Sequence, residues 1–218
     1  MKKVVIILTL VLLALFLLVN KGNNDKTQIV EKYPWQITHL ENGKSRVFGI
    51  VLGETSLKEV DSILKGSSKV ALFEVDKNLS LEAYYKNISL GGLIGSFIFT
   101  LDSSNEQLNK IKKESVSKEP AENKGQRFNL DKLAIEKTKI LIVKNLIYIP
   151  TVQLDEKTIV QRFGKPSEKI KLKTKEVGWH YLYPEKGLDL IYKEEGKEVL
   201  QYVQPKNFNL LLEPLRSH

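Results

Sequence analysis

The sequence predicts an α+β protein: an N-terminal transmembrane helix followed by two tandem modules, each a short helix packed on an antiparallel β-meander. Three observations predict it. Residues 4–19 are apolar at every position except Thr9. Two short amphipathic segments open on capping residues, Ser56 and Asp155, that lie 99 positions apart. Each is followed by several β-prone runs separated by turn signals. The implied divisions are a transmembrane helix at 1–20, a polar tether at 21–34, a first module at 35–102, a polar linker at 103–128 and a second module at 129–218.

The apolar block comes first. Lys2 and Lys3 precede it, which holds that end inside by the positive-inside rule. As a helix its sixteen residues span about 24 Å, at ~1.5 Å per residue. That lies between a secretory signal core and a full membrane span. Signal cleavage needs small residues at −3 and −1. Ala14 would pair with Phe16, and Gly22 with Asn20, so neither position fits. The reading is therefore an uncleaved anchor: a single-pass protein of the inner (cytoplasmic) membrane, held through residues 4–19, with its remaining residues outside the cytoplasm. The alternative is secretion to the periplasm after cleavage. The chain has no Cys, which excludes a lipid-anchored N-terminus, a disulfide scaffold and any thiolate zinc site.

In the first module, β-prone runs at 35–40 and 45–52 flank Asn42-Gly43. Asn-Gly between such runs is a strong hairpin signal, because both central turn residues need positive φ. Ser56 and Glu59 form a capping box. Leu57, Val60, Ile63 and Leu64 share one helical face, and Gly66 ends it. Four β-like runs follow, at 70–75, 79–85, 88–93 and 96–101.

Residues 103–128 hold few apolar side chains and read as a linker, with room for a polar helix at 106–116. A short helix at 130–136 is capped by Asn129, with Leu130, Leu133 and Ala134 as its apolar face. The second module repeats the order of the first: a β-like run at 139–149, a helix capped by Asp155 and ended by Gly164, then a meander. Ile159, Val160 and Phe163 form that helix's apolar face. The meander strands are 169–175, 178–183, 188–193 and 197–203. The tail from Phe208 to Leu215 is apolar enough to dock on the core.

The second half carries a family resemblance. Phe163-Gly164-Lys165-Pro166 closes the helix, Trp179-His180-Tyr181-Leu182-Tyr183-Pro184 follows, then Gly187-Leu188-Asp189-Leu190. This pattern resembles SmpA/OmlA (BamE)-like and β-lactamase-inhibitor-protein-like envelope domains, here in tandem copies. Gly53-Glu54-Thr55 and Val60 resemble the start of the same helix in the first half. Residues 183–190 also look like a segment of a bacterial family with an N-terminal anchor. Those domains are single-module lipoproteins, and this chain departs from them in length and in lacking Cys. The resemblance implies an envelope binding or assembly module with a protein partner.

The residues point away from catalysis. The histidines are His39, His180 and His218, without metal-site spacing, so neither metal nor cofactor is expected. No nucleophile elbow or phosphate loop occurs. Gly91, Gly92 and Gly95 lie in a β-run without the Lys-Ser/Thr that a phosphate loop needs.

Charge says more. The net charge is +8, and residues 129–178 hold 11 basic and 6 acidic residues. Lys169, Lys171, Lys173 and Lys175 line one face of a strand. They read either as a solvated edge or as an electrostatic contact. Nucleic acid is disfavoured, because Arg is confined to Arg46, Arg127, Arg162 and Arg216. Trp179, Tyr181 and Tyr183 share a strand face. They read as core, or as a partner-binding patch if the helix covers the other face. The expected function is therefore non-catalytic protein–protein contact, with Trp179, Tyr181, Tyr183 and the four lysines as the contact residues. The alternative is an enzyme or small-ligand carrier with a site between the modules near His180.

Overall fold

The computed structural model describes residues 32–121, 125–173 and 176–216. A small antiparallel sheet comes first: β1 (Ile37–His39), β2 (Ser45–Val47) and β3 (Ile50–Val51). The hairpin between β1 and β2 turns at Asn42-Gly43, where Gly43 has φ 73. The Lys44 amide donates to Asn42 Oδ1 at 3.1 Å.

Helix α1 (Leu57–Leu64) follows, with both capping-box bonds made. Its buried face is Leu57, Val60 and Leu64. Next come β4 (Lys69–Val75), β5 (Asn78–Leu90), β6 (Leu93–Leu101), α2 (Asn105–Lys113), β7 (Ser117–Pro120) and β8 (Gln126–Asn129). Then α3 (Lys132–Thr138), β9 (Val143–Pro150) and α4 (Glu156–Phe163) form. The chain ends with β10 (Glu168–Lys171), β11 (Gly178–Tyr183), β12 (Leu188–Lys193), β13 (Val199–Tyr202) and α5 (Asn209–Arg216).

The expected fold class needs correction. Strands β4 to β13 build one ten-stranded sheet in the order β10-β11-β12-β13-β9-β6-β5-β4-β8-β7. Every pairing in it is antiparallel. The protein is mostly β, with five short α-helices among the described residues. The two meanders are thus halves of one sheet, joined where β6 pairs with β9, Phe97 opposite Tyr148 and Phe99 opposite Leu146. The physical reason lies in the edges. A three- or four-stranded module leaves a strand edge unpaired and a core too small to be secure. Both β6 and β9 bury alternate residues. Pairing them in phase closes both edges and fuses two small cores into one. That core runs from Leu72 and Phe99 to Leu190 and Tyr202.

The transmembrane element and the single-pass inner-membrane location are corrected as well. Among the described residues, no helix is long and apolar enough to cross a membrane. The block at 4–19 lies outside the described residues. Within the tether, Tyr33 stacks on Trp35 at 5.0 Å, and Tyr202 Oη donates to the Pro34 carbonyl at 2.9 Å.

Among its described residues, the segment at 103–128 holds α2, β7 and most of β8 rather than a structureless linker. Two apolar residues suffice to dock it: Leu108 and Phe128 are 6% and 5% exposed. Ser104 caps α2 in a box with Gln107. Ser104→Ala should lower stability by about 1 kcal/mol, read as a lower urea midpoint at unchanged slope. An unchanged midpoint would mean that the cap bond is not formed in solution.

Helix α3 starts later than expected. Asp131 is its cap, donating nothing and accepting from the Ala134 amide at 2.7 Å. The delay turns Leu133 outward, to 66% exposed. Residues 139–142 run beside the start of α1 rather than as a strand. The Leu57 and Lys58 amides, which no helical carbonyl can reach, donate to Leu141 and Lys139 carbonyls at 2.9 Å each. Phe208, just before α5, and Leu211, Leu212 and Leu215 on α5 pack on Leu182, Val203 and Ile170, on the other face of the sheet.

Candidate functional site

The aromatic strip on β11 is largely internal. Helix α4 lies over that face, anchored by Ile159 and Phe163. Tyr181 and Tyr183 are 1% and 0% exposed. Tyr183 Oη donates to the Gly164 carbonyl at 3.0 Å, and Tyr181 Oη donates to Glu156 Oε1 at 2.7 Å. Both tyrosines are therefore core residues, which corrects their expected role in partner binding. Residues 151–154 carry the chain from the end of β9 to Asp155, the cap of α4. Trp179 is half-buried and stacks on Tyr192 at 6.3 Å.

The lysines divide. Lys169 lies 4.3 Å from the Tyr181 ring centroid and 2.7 Å from Glu156 Oε1. The Glu156 hydrogen bond holds the Lys169 ammonium up, and the same bond holds the Glu156 carboxyl down. Lys171 is exposed, in register with Trp179. The strand ends at Lys171, so Lys173 lies beyond it and donates to the Leu215 carbonyl at 3.1 Å. Lys175 lies outside the described residues. The expected all-lysine strand face is thus shortened to Lys169 and Lys171.

His180 sits on the opposite face of β11, with Nδ1 2.8 Å from Asp189 Oδ2. Burial pushes the Asp189 carboxyl up, and the His180 bond opposes this. The halves share one sheet, and His180 lines neither the groove between α2 and α3 nor the hollow over β4 and β5.

A different feature combines exposure with shape. Helices α2 and α3 enclose a groove of about 180 Å³. Ile111, Ala134 and Leu141 form its apolar walls, and Lys110, Lys137 and Glu114 stand on its rim. Inside it, Ser103 Oγ is buried without a hydrogen-bond partner. Leu133 lies one turn before Lys137 on the same stripe of α3. Ile140, next to Leu141, is 77% exposed. Neither residue lines the groove itself, but each adjoins a lining residue in sequence, Leu133 next to Ala134 and Ile140 next to Leu141, and an exposed apolar patch with a polar rim marks a contact surface. The cations around the groove are not all committed inward. Lys112 pairs with Glu74 at 2.6 Å, whereas Lys110 and Lys137 line the opening.

Sequence reasoning missed this groove for a local reason. Leu133 reads as core-facing if the helix starts at Leu130, and as exposed if Asp131 caps it. The Asp at 131 was the available signal, since Asp ranks with Asn as a cap. Comparison with protein-family models, with curated proteins and with solved structures returns no match.

Proposed function

We propose that the protein acts without catalysis, by holding an acidic, amphipathic segment of a partner protein in the groove between α2 and α3. The observation that carries this reading is the pair Leu133 and Ile140, 66% and 77% exposed, beside an apolar-walled groove. A partner's apolar side chain would enter between Ile111, Ala134 and Leu141. Its carboxylates would meet Lys110 and Lys137, and Ser103 Oγ would gain a hydrogen-bond partner. An acidic partner also suits a chain of net charge +8. The resemblance to BamE-like domains supports a binding module rather than an enzyme.

The test uses two labelled synthetic helical peptides, one with Leu on one face and Glu on the other, one with Lys in place of Glu. Fluorescence anisotropy with the full chain should show saturable binding of the Glu-faced peptide. The double variant Leu133→Glu, Ile140→Glu should weaken it at least about tenfold. Both residues are exposed, so folding should survive the change. Equal binding of the Lys-faced peptide, or an unaffected double variant, would sink the proposal.

A further inference from the structure

Outside the groove, the face of the sheet opposite the shared core carries a second hollow. Alternation along β4 and β5 sends Lys69, Ala71 and Phe73, then Glu82 and Tyr84, to this face. Across the pairs, Ile98 on β6 aligns with Tyr84, and Arg127 on β8 aligns with Phe73. Helix α5 covers this face only around Ile170 and Leu182. Among the described residues, the hollow over β4 and β5 opens to solvent.

Ala71 is the cause of the hollow. Its register neighbours on this face are Glu82 and Asn129, both longer side chains. The methyl group leaves a hollow of about 350 Å³ beside them. Phe73, Tyr84 and Ile98 supply flat and aliphatic walls. Lys69, Lys86 and Arg127 stand around it against one carboxylate, Glu82. That carboxylate is already engaged, accepting from Ser80 Oγ at 2.8 Å. Arg127 Nε is buried and has no hydrogen-bond partner. A buried guanidinium donor without an acceptor is costly, and a carboxylate is the acceptor that fits its planar fork.

We infer that this hollow is a binding site for a small organic acid, with its apolar body on Phe73, Tyr84 and Ile98 and its carboxylate on Arg127 and Lys69. The site is independent of the α2–α3 groove and would serve as a ligand-responsive or carrier site on the same molecule. Cation number sets the preference for an acid over a neutral analogue. The aromatic and aliphatic walls set the preference for an apolar body over a bare anion.

The experiment titrates the ¹⁵N-labelled full chain with phenylacetate, phenylacetamide and inorganic phosphate, and follows backbone amide shifts. Phenylacetate should shift amides at Ala71, Phe73, Tyr84 and Arg127 saturably, with both other probes at least about tenfold weaker. Arg127→Met keeps the aliphatic stem on a half-buried strand and should weaken phenylacetate about tenfold. Ala71→Leu fills the hollow and should abolish its shifts, with circular dichroism checking the fold. If Ala71→Leu unfolds the chain, the Arg127→Met result decides alone. Comparable binding of phenylacetamide or phosphate, unchanged affinity in Arg127→Met, or no saturable shift with phenylacetate would overturn the inference.

Discussion

Phe97→Ala is expected to cost about 3–5 kcal/mol and to weaken both halves of the sheet together. Phe97 sits where the halves join, 1% exposed. Its ring lies 4.8 Å from Tyr148, 5.1 Å from Phe48 and 6.3 Å from Phe99. The packing there is tight enough that a β-carbon at Gly95 would run into the Tyr148 ring. Truncation leaves a cavity that neighbours locked in a ten-stranded sheet cannot close. For a chain of this size the loss corresponds to a fall in Tm of roughly 10 °C or more. The decisive readout is local. Amide hydrogen exchange should quicken in β5 and in β12, although Phe97 belongs to the first half. Faster exchange confined to β4, β5 and β6 would mean two separately folding modules.

Glu198→Gln is expected to stabilise the protein at neutral pH by about 2 kcal/mol, or roughly 4–8 °C in Tm. Glu198 precedes β13 and is 0% exposed. Neither carboxylate oxygen has a hydrogen-bond partner of good geometry. Burial raises its pKa, and the nearby backbone amides of Glu198 and Leu154 oppose this in part. The sign follows from the direction. A carboxyl whose folded pKa lies above its unfolded value favours the folded state most when protonated. The penalty is therefore present at neutral pH and fades as pH falls through the folded pKa. The amide carries no such penalty, so the advantage of Glu198→Gln over the parent should shrink towards pH 4. Thermal melts of both proteins at pH 7 and pH 4 check this. A variant that is less stable at pH 7 would show that Glu198 is paired in solution.

Local structure was legible in the residues, and strand partners were not. The hairpin at Asn42-Gly43, the capped helices at Ser56 and Asp155, and the order of the strands in the second meander follow from turn chemistry and apolar period; in the first half the expected runs at 79–85 and 88–93 are instead one long strand, β5, that turns at Gly91-Gly92 into β6. These signals are local. Period 2 says which face a strand buries, not which neighbour it pairs with. Nothing in 143–150 taken alone says that Tyr148 will lie opposite Phe97. The stretch at 103–128 was obscured for a related reason. Leu108 and Phe128 each dock an element against a sheet whose existence depends on residues far away in the chain. The sites shifted for smaller causes. A two-residue difference in the start of α3 turned Leu133 from core to surface, and α4 closed over Tyr181 and Tyr183. Ala71 reads as an ordinary strand residue until Glu82 and Asn129 stand beside it.

The proposed function rests on the groove, and one titration addresses it most directly. The ¹⁵N-labelled full chain is titrated with the Glu-faced peptide, and the responding amides are mapped. Saturable shifts are expected at Gln107, Ile111, Ala134 and Leu141, with β11 and its Trp179–Tyr192 pair unmoved. Shifts that gather on β10 and β11, or that the Lys-faced peptide reproduces, would contradict it.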